Sequence, residues 1–487
     1  MILKTKSKLT TNYIYNLAYQ LLVILVPIIT TPYVSRVLQS DGIGLYSYAL
    51  SIVTYFGVIA GLGTANYGQL EIAKYRNSKK KLNETFWSIF ISRIITYTIA
   101  IGAYILFILL CNEDKIIFAV LIVFLVSQAF DITWVLQGLE DFKKIVVRNF
   151  VIKIISTALI FAYVRNREDL YLYVIILQGS TLLGNLALFP YLRGIIDKPE
   201  FRLKNIIEHT KSSLVYFVPT VATTIYTMLD KSMIGIITES SSQNGYYEQA
   251  HKIEQILVTL LTSLATVMLP RLTYLHSQKN KREIHRLLNI TIQYVIILAC
   301  PMLFGVLAIS GDLVPWFLGA GYEECIPLLN VFSLLLVIVG LDNTIGKQCL
   351  MAMGRQRQFN LGVIIGALFN FIINLVLIPR YAAVGAAIAS VFAEGIILAI
   401  FMYYSRDLVA PSMILGTALK YCIIAGIMFL MLNFWNYIAL KPLTRMTVKI
   451  LSGTIFYLLS LAILKDEIII TLAKKAQSLL RVLKKSQ

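Results

Sequence analysis

Among the charged residues within or at the ends of long apolar stretches of this sequence, nine are candidates for a functional role. A charged side chain at the centre of a bilayer costs about 2.5–3.5 kcal/mol on insertion scales, so such residues face a partner or a water-filled cavity. Basic side chains in a cavity bind anionic groups through charge-assisted hydrogen bonds, and acidic ones neutralise them or carry a coupling ion. The candidates for anion binding are Arg36, Arg93, Lys153, Lys231 and Lys252, and the candidate charge partners or coupling groups are Asp131, Asp230, Asp342 and Glu394.

The positions of these charges along the apolar stretches suggest how they pair. If the stretches are helices, Arg93, Asp131 and Lys153 all lie roughly 10 Å from one membrane surface, which predicts one acid between two bases. The alternative is a static Arg93–Asp131 ion pair with no role in binding. Asp230 and Lys231 are neighbours, about 100° apart around a helix, so we expect them to have different partners or to extend to water.

The remaining candidates stand alone in their stretches. Asp342 lies at a depth comparable to that of Asp131, and Glu394, isolated among apolar residues, is a candidate proton carrier. Arg36 ends the first apolar stretch and is expected to contact lipid headgroups or the bound anion.

The elements that hold these charges are predicted to be membrane-spanning helices. Of the 487 residues, 57% are hydrophobic and only 14% are charged, whereas soluble domains have about 25% charged residues; the mean hydropathy is +0.73. Apolar runs long enough to cross a ~30 Å hydrocarbon core recur about fourteen times. They are apolar on every face, unlike the strands of a β-barrel. The predicted fold class is therefore an all-α polytopic membrane protein with about 14 transmembrane helices.

Lysine and arginine in alternate loops predict the orientation. The net charge is +18, and basic segments such as KYRNSKKK (74–81) and SQKNKREIHR (277–286) alternate with poorly basic ones such as TESSSQNGYY (238–247). The positive-inside rule then places both termini in the cytoplasm and explains the basic balance without nucleic acid. Residues 466–487 predict a cytoplasmic basic amphipathic tail, which lies on the anionic inner leaflet or is a solvated helix end.

No segment predicts catalysis or a cofactor. The loops are at most about 20 residues long, against ~50 or more for a folded domain. The four histidines and five cysteines show no metal-ligand spacing, and the sequence contains no GxxxxGK phosphate-binding loop. We expect a non-enzyme without cofactor or metal, coupled to an H⁺ or Na⁺ gradient or to the membrane potential.

A repeated motif indicates an internal duplication. GLYSYALSI (44–52) and GYYEQAHKI (245–253) share the pattern G-x-Y-x-x-A-x-x-I. Each motif opens the second helix of a predicted group of six. Because six is even, the two groups have the same orientation, which corresponds to parallel repeats about an axis along the membrane normal.

A second, weaker pair of matching positions supports the same duplication, from which the predicted domains follow. Asp131 and Gln137 in the fourth predicted helix match Asp342 and Gln348 in the tenth. The predicted domains are an N-terminal six-helix lobe at 1–205, a C-terminal six-helix lobe at 206–408, two additional helices at 409–465 and the tail at 466–487.

Several segments are familiar from one transporter family. PYVSRVLQSDGIGLYSYALSIVTYF, FDITWVLQGLEDFKKIVVRN, LDKSMIGI and NLVLIPRYAAVGAAIASVFAE resemble polysaccharide-transport flippases of the multidrug/oligosaccharidyl-lipid/polysaccharide exporter superfamily. The resemblance extends to about residue 405 and is weakest over the last two helices. It implies a transporter of the bacterial inner membrane that moves undecaprenyl-pyrophosphate-linked repeat units to the outer leaflet by alternating access, for O-antigen, capsule or exopolysaccharide.

The resemblance also implies partners and leaves alternatives open. The expected partners are the lipid-linked oligosaccharide, membrane lipids, a polysaccharide polymerase and chain-length proteins, with the transporter itself a monomer. One alternative is an ion-coupled multidrug exporter, but its mostly cationic substrates would favour an acidic cavity, and here bases outnumber acids. Another alternative is a flippase for the peptidoglycan precursor. A membrane glycosyltransferase or polymerase is the last alternative, and the short outer loops disfavour it.

Overall fold

The structure, a computed structural model, is built from helices throughout the part of the chain that it describes. That part comprises residues 2–111, 114–199 and 202–466, with the side chains of all of them except 2–24, 219, 222, 263–267 and 270. The described residues contain no β-strand, only one β-bridge between Arg193 and Ile196. The predicted all-α fold class is confirmed. The predicted tail at 466–487 lies, after its first residue, outside the described residues.

Fifteen α-helices follow one another along the described chain. They are α1 (Ile2–Gly61), α2 (Thr64–Tyr75), α3 (Lys79–Leu110), α4 (Lys115–Val120), α5 (Ile122–Ala129), α6 (Thr133–Gly138), α7 (Phe142–Tyr163), α8 (Leu170–Leu186), α9 (Leu203–Thr238), α10 (Ser241–Ser277), α11 (Lys281–Phe317), α12 (Cys325–Asp342), α13 (Gln356–Ser405), α14 (Pro411–Asn433) and α15 (Pro442–Ile463). Short 3₁₀ turns lie at Arg167–Asp169, Phe189–Leu192 and Phe434–Tyr437, and a π-helix at Asn343–Met351.

Ten segments of the described chain are long and apolar enough to cross a membrane, and a bent pair within α9 makes an eleventh. Two of the ten, Leu25–Tyr75 and Gln356–Ser405, have 51 and 50 residues. A straight helix of this length would measure about 75 Å, more than twice the ~30 Å hydrocarbon core. Non-helical residues, Gln39 (φ 57°) and Ala382 (φ 48°), interrupt these segments, so each has room for two crossings. The count of fourteen stays a prediction.

The helix interruptions follow the repeat. Asp131 lies in the short non-helical link between α5 and α6, and the matching Asp342 ends α12 where the π-helix begins. Breaks and π-helices release backbone groups from the regular hydrogen-bond ladder and are frequent at functional sites. Interruptions at matching positions support the predicted duplication.

The chain forms two compact units. The first contains Met1–Glu248 and Asn374–Ala383, and the second contains Gln249–Ile373 and Val384–Gln487. In the first unit, Trp134 lies at the centre of a buried aromatic and aliphatic cluster between α2, α3 and α6. In the second unit, α11 packs against α12, α14 and α15. The predicted lobes, defined by the repeat, stay a prediction.

A buried charged cluster fastens α15 to α11 in the second unit. Asp312 accepts hydrogen bonds from Arg445 and, at 2.8 Å, from the Nζ of Lys449. Lys449, only 2% exposed, also donates to the Asn436 Oδ1 at 2.7 Å. Removing one partner of a buried ion pair costs about 3–5 kcal/mol because the other charge is left uncompensated. The two additional helices are therefore integral to the second unit.

Candidate functional site

The first copy of the repeated motif meets the start of the second copy within the first unit, where the second half of α1 crosses the first turns of α10, up to Glu248. Residues at equivalent motif positions contact one another, as expected around a twofold axis, where a surface meets its own copy. Arg167, in the 3₁₀ turn before α8, forms an ion pair with Asp41. The contacting pairs, spaced three residues apart along each helix, are Asp41–Ser242, Gly44–Gly245 and Ser47–Glu248.

The glycines of the motif allow the close crossing. A Cβ on Gly44 would lie 1.6 Å from the carbonyl oxygen of Ser241, and a Cβ on Gly245 would lie 2.0 Å from that of Ser40. Backbone atoms cannot rotate out of the way as a side chain can, so any larger residue would force the helices apart. Small residues serve the same purpose at membrane helix interfaces generally.

Asp230 and Lys231 have different partners, as their helical geometry predicts. Asp230, 7% exposed, accepts hydrogen bonds from the Tyr247 hydroxyl at 2.5 Å and from the Asn374 Nδ2 at 2.6 Å. Lys231 forms an ion pair with Glu248 at 2.6 Å. Asp230 and Lys231 thus both contact α10, and Lys231 is neutralised by an acid.

Sequence reasoning missed Glu248. It lies inside the repeated motif, where serine occupies the matching position in the first copy, and it adjoins a polar loop, so it did not count as a charge in an apolar stretch. The available signal was its motif position, because a contact between motif copies brings equivalent positions together.

Arg93 is buried, and no acidic residue in the described part of the chain forms an ion pair with it. It is 3% exposed and donates to the Thr64 hydroxyl at 2.8 Å and to the Gln128 carbonyl oxygen at 2.6 Å. The alternative of an Arg93–Asp131 ion pair is wrong: the ion pairs of the described residues do not include it, and Asp131 instead accepts from the backbone N–H of Thr133 at 2.9 Å. Because the helix is interrupted at Asp131, the Thr133 N–H has no partner within a helix and bonds to this carboxylate instead.

The other candidate cations lie in different surroundings. Arg36 is exposed and donates to the Pro32 carbonyl oxygen at 3.4 Å. Lys153 in α7 and Lys252 in α10 are half-buried. All three make further polar or charged interactions, and their role in anion binding stays a prediction.

The second unit contains an acidic cluster. Asp342 is 6% exposed, and no amide or basic group of the described residues donates a hydrogen bond to its carboxylate. Glu394 lies within electrostatic range of Asp342, Glu254 and Lys347. Three ionised acids beside one lysine would leave an excess of buried negative charge, which is costly in a membrane. A proton shared between the carboxyls, or a bound cation, would remove that cost.

Glu254 and Lys347 were not found from the sequence. Glu254 follows the second motif copy inside a polar stretch, and Lys347 lies near the end of an apolar run in GKQ, where a lysine is typical of a solvated helix end. The described residues contain no group of three His, Cys, Asp or Glu placed to hold a metal ion.

A comparison with known protein families identifies the family of this chain. Residues 9–276 match the family model described as polysaccharide biosynthesis protein, more than half of the chain. The chain belongs to this family.

Two of its relatives are bacterial proteins whose names describe O-antigen transporters. One, from Escherichia coli strain K12, is 21% identical over 412 residues, which are 82% of this chain and 98% of the relative. The other, from Shigella dysenteriae, is 23% identical over 393 residues, 78% of this chain and 95% of the relative. Both matches run through nearly the whole length of the relative.

Solved structures show the fold. The lipid II flippase MurJ in an inward closed conformation aligns with a TM-score of 0.75 at 17% identity, covering 94% of this chain and 100% of MurJ. An inward-facing multidrug resistance MATE family transporter of the MOP superfamily aligns at 0.58 and 14% identity, covering 79% and 97%. The chain is a multi-pass membrane protein with the MOP-superfamily fold, and it is not an enzyme.

Proposed function

We propose that this protein is a flippase that moves undecaprenyl-pyrophosphate-linked oligosaccharide repeat units from the inner to the outer leaflet of the bacterial plasma membrane. The observation that carries the proposal is membership of the polysaccharide biosynthesis protein family, together with the near full-length match to proteins named as O-antigen transporters. The repeat units would serve O-antigen, capsule or exopolysaccharide assembly.

The buried cation of the first unit suits a diphosphate cargo. Arg93 is held by two neutral oxygens, of Thr64 and Gln128, so its positive charge is fixed in position but not neutralised by them. A phosphate oxygen carries the negative charge that these neutral acceptors lack, and its planar pairing with a guanidinium can be bidentate. In the proposed cycle, helix separation lets phosphate oxygens replace these neutral acceptors, while the prenyl chain stays in lipid.

The crossing of the motif copies supports alternating access as the mechanism. The Gly44–Gly245 contact and the ion pair of Asp41 with Arg167 hold against each other the helix ends that are predicted to face outwards. Parallel-repeat transporters open one side by rocking one bundle against the other. Separation at this crossing would open the outward side, and its re-formation would close it.

The acidic cluster is the proposed coupling site. Uptake of a proton or Na⁺ by Asp342 and Glu394 would relieve their mutual repulsion, so the ion gradient would favour the conformation that binds the ion. The membrane potential acts on the same charge, at about 2.3 kcal/mol per elementary charge per 100 mV.

Glycan export in cells tests the proposal. The gene is deleted in its host and complemented with the wild type or with Arg93→Ala, Lys153→Ala or Lys231→Ala, at matched protein levels. We expect surface glycan with the wild type and a loss of roughly tenfold or more with Arg93→Ala, equivalent to about 1.4 kcal/mol of lost binding. Unchanged export in all three variants would refute the cationic mechanism. Normal glycan in the deletion strain, or rescue of a strain lacking the peptidoglycan-precursor flippase, would refute the substrate class.

A further inference from the structure

A basic cavity lies at the start of α3 in the first unit, apart from the residues used above. Its volume is about 580 Å³. The residues that line it come from the first turns of α3 and from the loop after α8, and they are Lys79, Lys80, Asn83, Asp197, Lys198 and Pro199.

The charges that line this cavity do not balance. Lys79 forms an ion pair with Asp197 at 2.9 Å, and both side chains are more than half exposed. Among the residues that the structure describes, neither Lys80 nor Lys198 has an acidic partner. Within the described part of this cavity, the positive charges therefore exceed the negative ones by two.

Buried polar groups shape the cavity wall. Asn83, 5% exposed, donates from its Nδ2 to the Lys198 carbonyl oxygen at 3.1 Å and accepts at its Oδ1 from the Asp197 backbone N–H at 2.9 Å. The Trp87 indole N–H donates to the Asp197 carbonyl oxygen at 3.0 Å. These three bonds fix the loop against α3, so Lys198 stays opposite the helix start without help from the lysines themselves.

The lysines occupy the wrong end of a helix for their charge. The first turn of α3 contains Lys79, Lys80 and Lys81 and no acidic residue, and the preceding Ser78 makes no side-chain cap. A helix N-terminus has a partial positive charge and unpaired N–H groups, so it favours anions and disfavours cations. An anion in the cavity would offset both the lysines and the helix dipole.

The cavity also lies at the edge of a membrane span. Lys79 is the first residue of the span Lys79–Leu110, and Trp87 is about 12 Å further along the helix, at a depth typical of interfacial tryptophan. We propose that this cavity binds the phosphate group of an anionic membrane lipid. Clusters of basic residues next to a membrane span attract anionic lipid headgroups, and the site does not depend on the proposed transport function.

Thermal unfolding of the purified full-length protein in a zwitterionic detergent tests the site. The probes are phosphatidylglycerol, phosphatidylcholine, polyprenyl diphosphate and inorganic phosphate, each titrated to half-saturation of the shift in Tm. The test variant is Lys79→Ala/Lys80→Ala/Lys198→Ala. The control, Lys279→Ala/Lys281→Ala/Arg282→Ala, removes the same charge from exposed residues of the loop before α11 and of the first turn of α11.

We expect phosphatidylglycerol to raise the Tm of the wild type and the control alike, with half-saturation in the test variant shifted upward by roughly tenfold or more, because this variant lacks three basic residues that attract an anionic headgroup. The Lys→Arg triple variant should bind like the wild type and keeps the test valid if the alanine variant does not fold. Equal shifts in test and control variants, or none, would overturn the site. Saturation by inorganic phosphate as effective as by phosphatidylglycerol would overturn the assignment to a lipid, and tighter binding of polyprenyl diphosphate would assign the cavity to the transported lipid instead.

Discussion

Replacing Gly44 by alanine should shift the protein towards an outward-open conformation. The new Cβ would lie 1.6 Å from the Ser241 carbonyl oxygen, whereas Cβ contacts below 3.0 Å are essentially never seen, so the helices must separate by at least 1.4 Å. Overpacking of this kind costs about 1–3 kcal/mol. If the crossing opens during transport, this cost falls on the closed state alone, and the equilibrium shifts by about 5–150-fold.

A cysteine at position 241 reports on the opening. In a background without the five native cysteines, Ser241→Cys is labelled in cells with a membrane-impermeant maleimide, and we expect faster labelling in Gly44→Ala by the factor above. Gly42→Ala is the matched control, because its Cβ would make an ordinary contact at 3.5 Å with the Leu38 Cβ. Equal labelling in the two variants, with Gly44→Ala merely lowering the Tm, would show that the crossing is static and would refute the gate.

Three further predictions concern two ion pairs and the acidic cluster. Lys231→Ala should lower the stability by about 1–3 kcal/mol because it removes the cation that pairs with Glu248. The cost is less than the roughly 3–5 kcal/mol of a fully buried pair, since Glu248 is 14% exposed. Lys231→Ala/Glu248→Ala should recover most of the lost stability in thermal unfolding, and a double variant as unstable as the single one would contradict the pairing. Asp342→Asn should make transport in proteoliposomes insensitive to imposed H⁺ and Na⁺ gradients, and a retained gradient response would remove Asp342 from coupling. Hydrogen bonds from Arg355 lower the pKa of Asp407. Their pair therefore stabilises the fold above the usual aspartate pKa of about 3.9, and this contribution is lost as the pH falls through the lowered value. Asp407→Asn should abolish that acid-side loss in Tm between neutral pH and pH of about 3, and an unchanged profile would show that the pair is not stabilising.

The fold class follows from the sequence because the membrane leaves the backbone few solutions. Apolar runs of sufficient length can only be helices there, and the structure has helices in these places. The breaks at Gln39 and Glu239 lie in the polar runs QSDG and TESSSQN, so composition marks them as well. The π-helix after Asp342 is different: its residues, NTIGKQCLM, have no composition that separates them from an ordinary helix.

The site was only partly accessible from the sequence. Helical periodicity correctly predicted that Asp230 and Lys231 have different partners, since the angle between two side chains around a helix depends on local geometry alone. Depth along the helix failed for Arg93 and Asp131, because it assumed an unbroken helix where the chain is interrupted at Asp131. Glu248 lies in a polar stretch, so its position in the repeated motif is its one signal in the sequence, and the fold then places it beside the matching Ser47.

Flipping by the purified protein tests the central claim most directly. The protein is reconstituted in liposomes that contain a fluorescent polyprenyl-diphosphate oligosaccharide, and the fraction of sugar accessible to an external reagent is followed over time. We expect the wild type to expose the inner-leaflet pool, with a rate roughly tenfold or more lower for Arg93→Ala, in proportion to the lost phosphate contact. Flipping no faster than in protein-free liposomes, or an Arg93→Ala rate equal to the wild type, would contradict a flippase that holds the diphosphate through this buried cation.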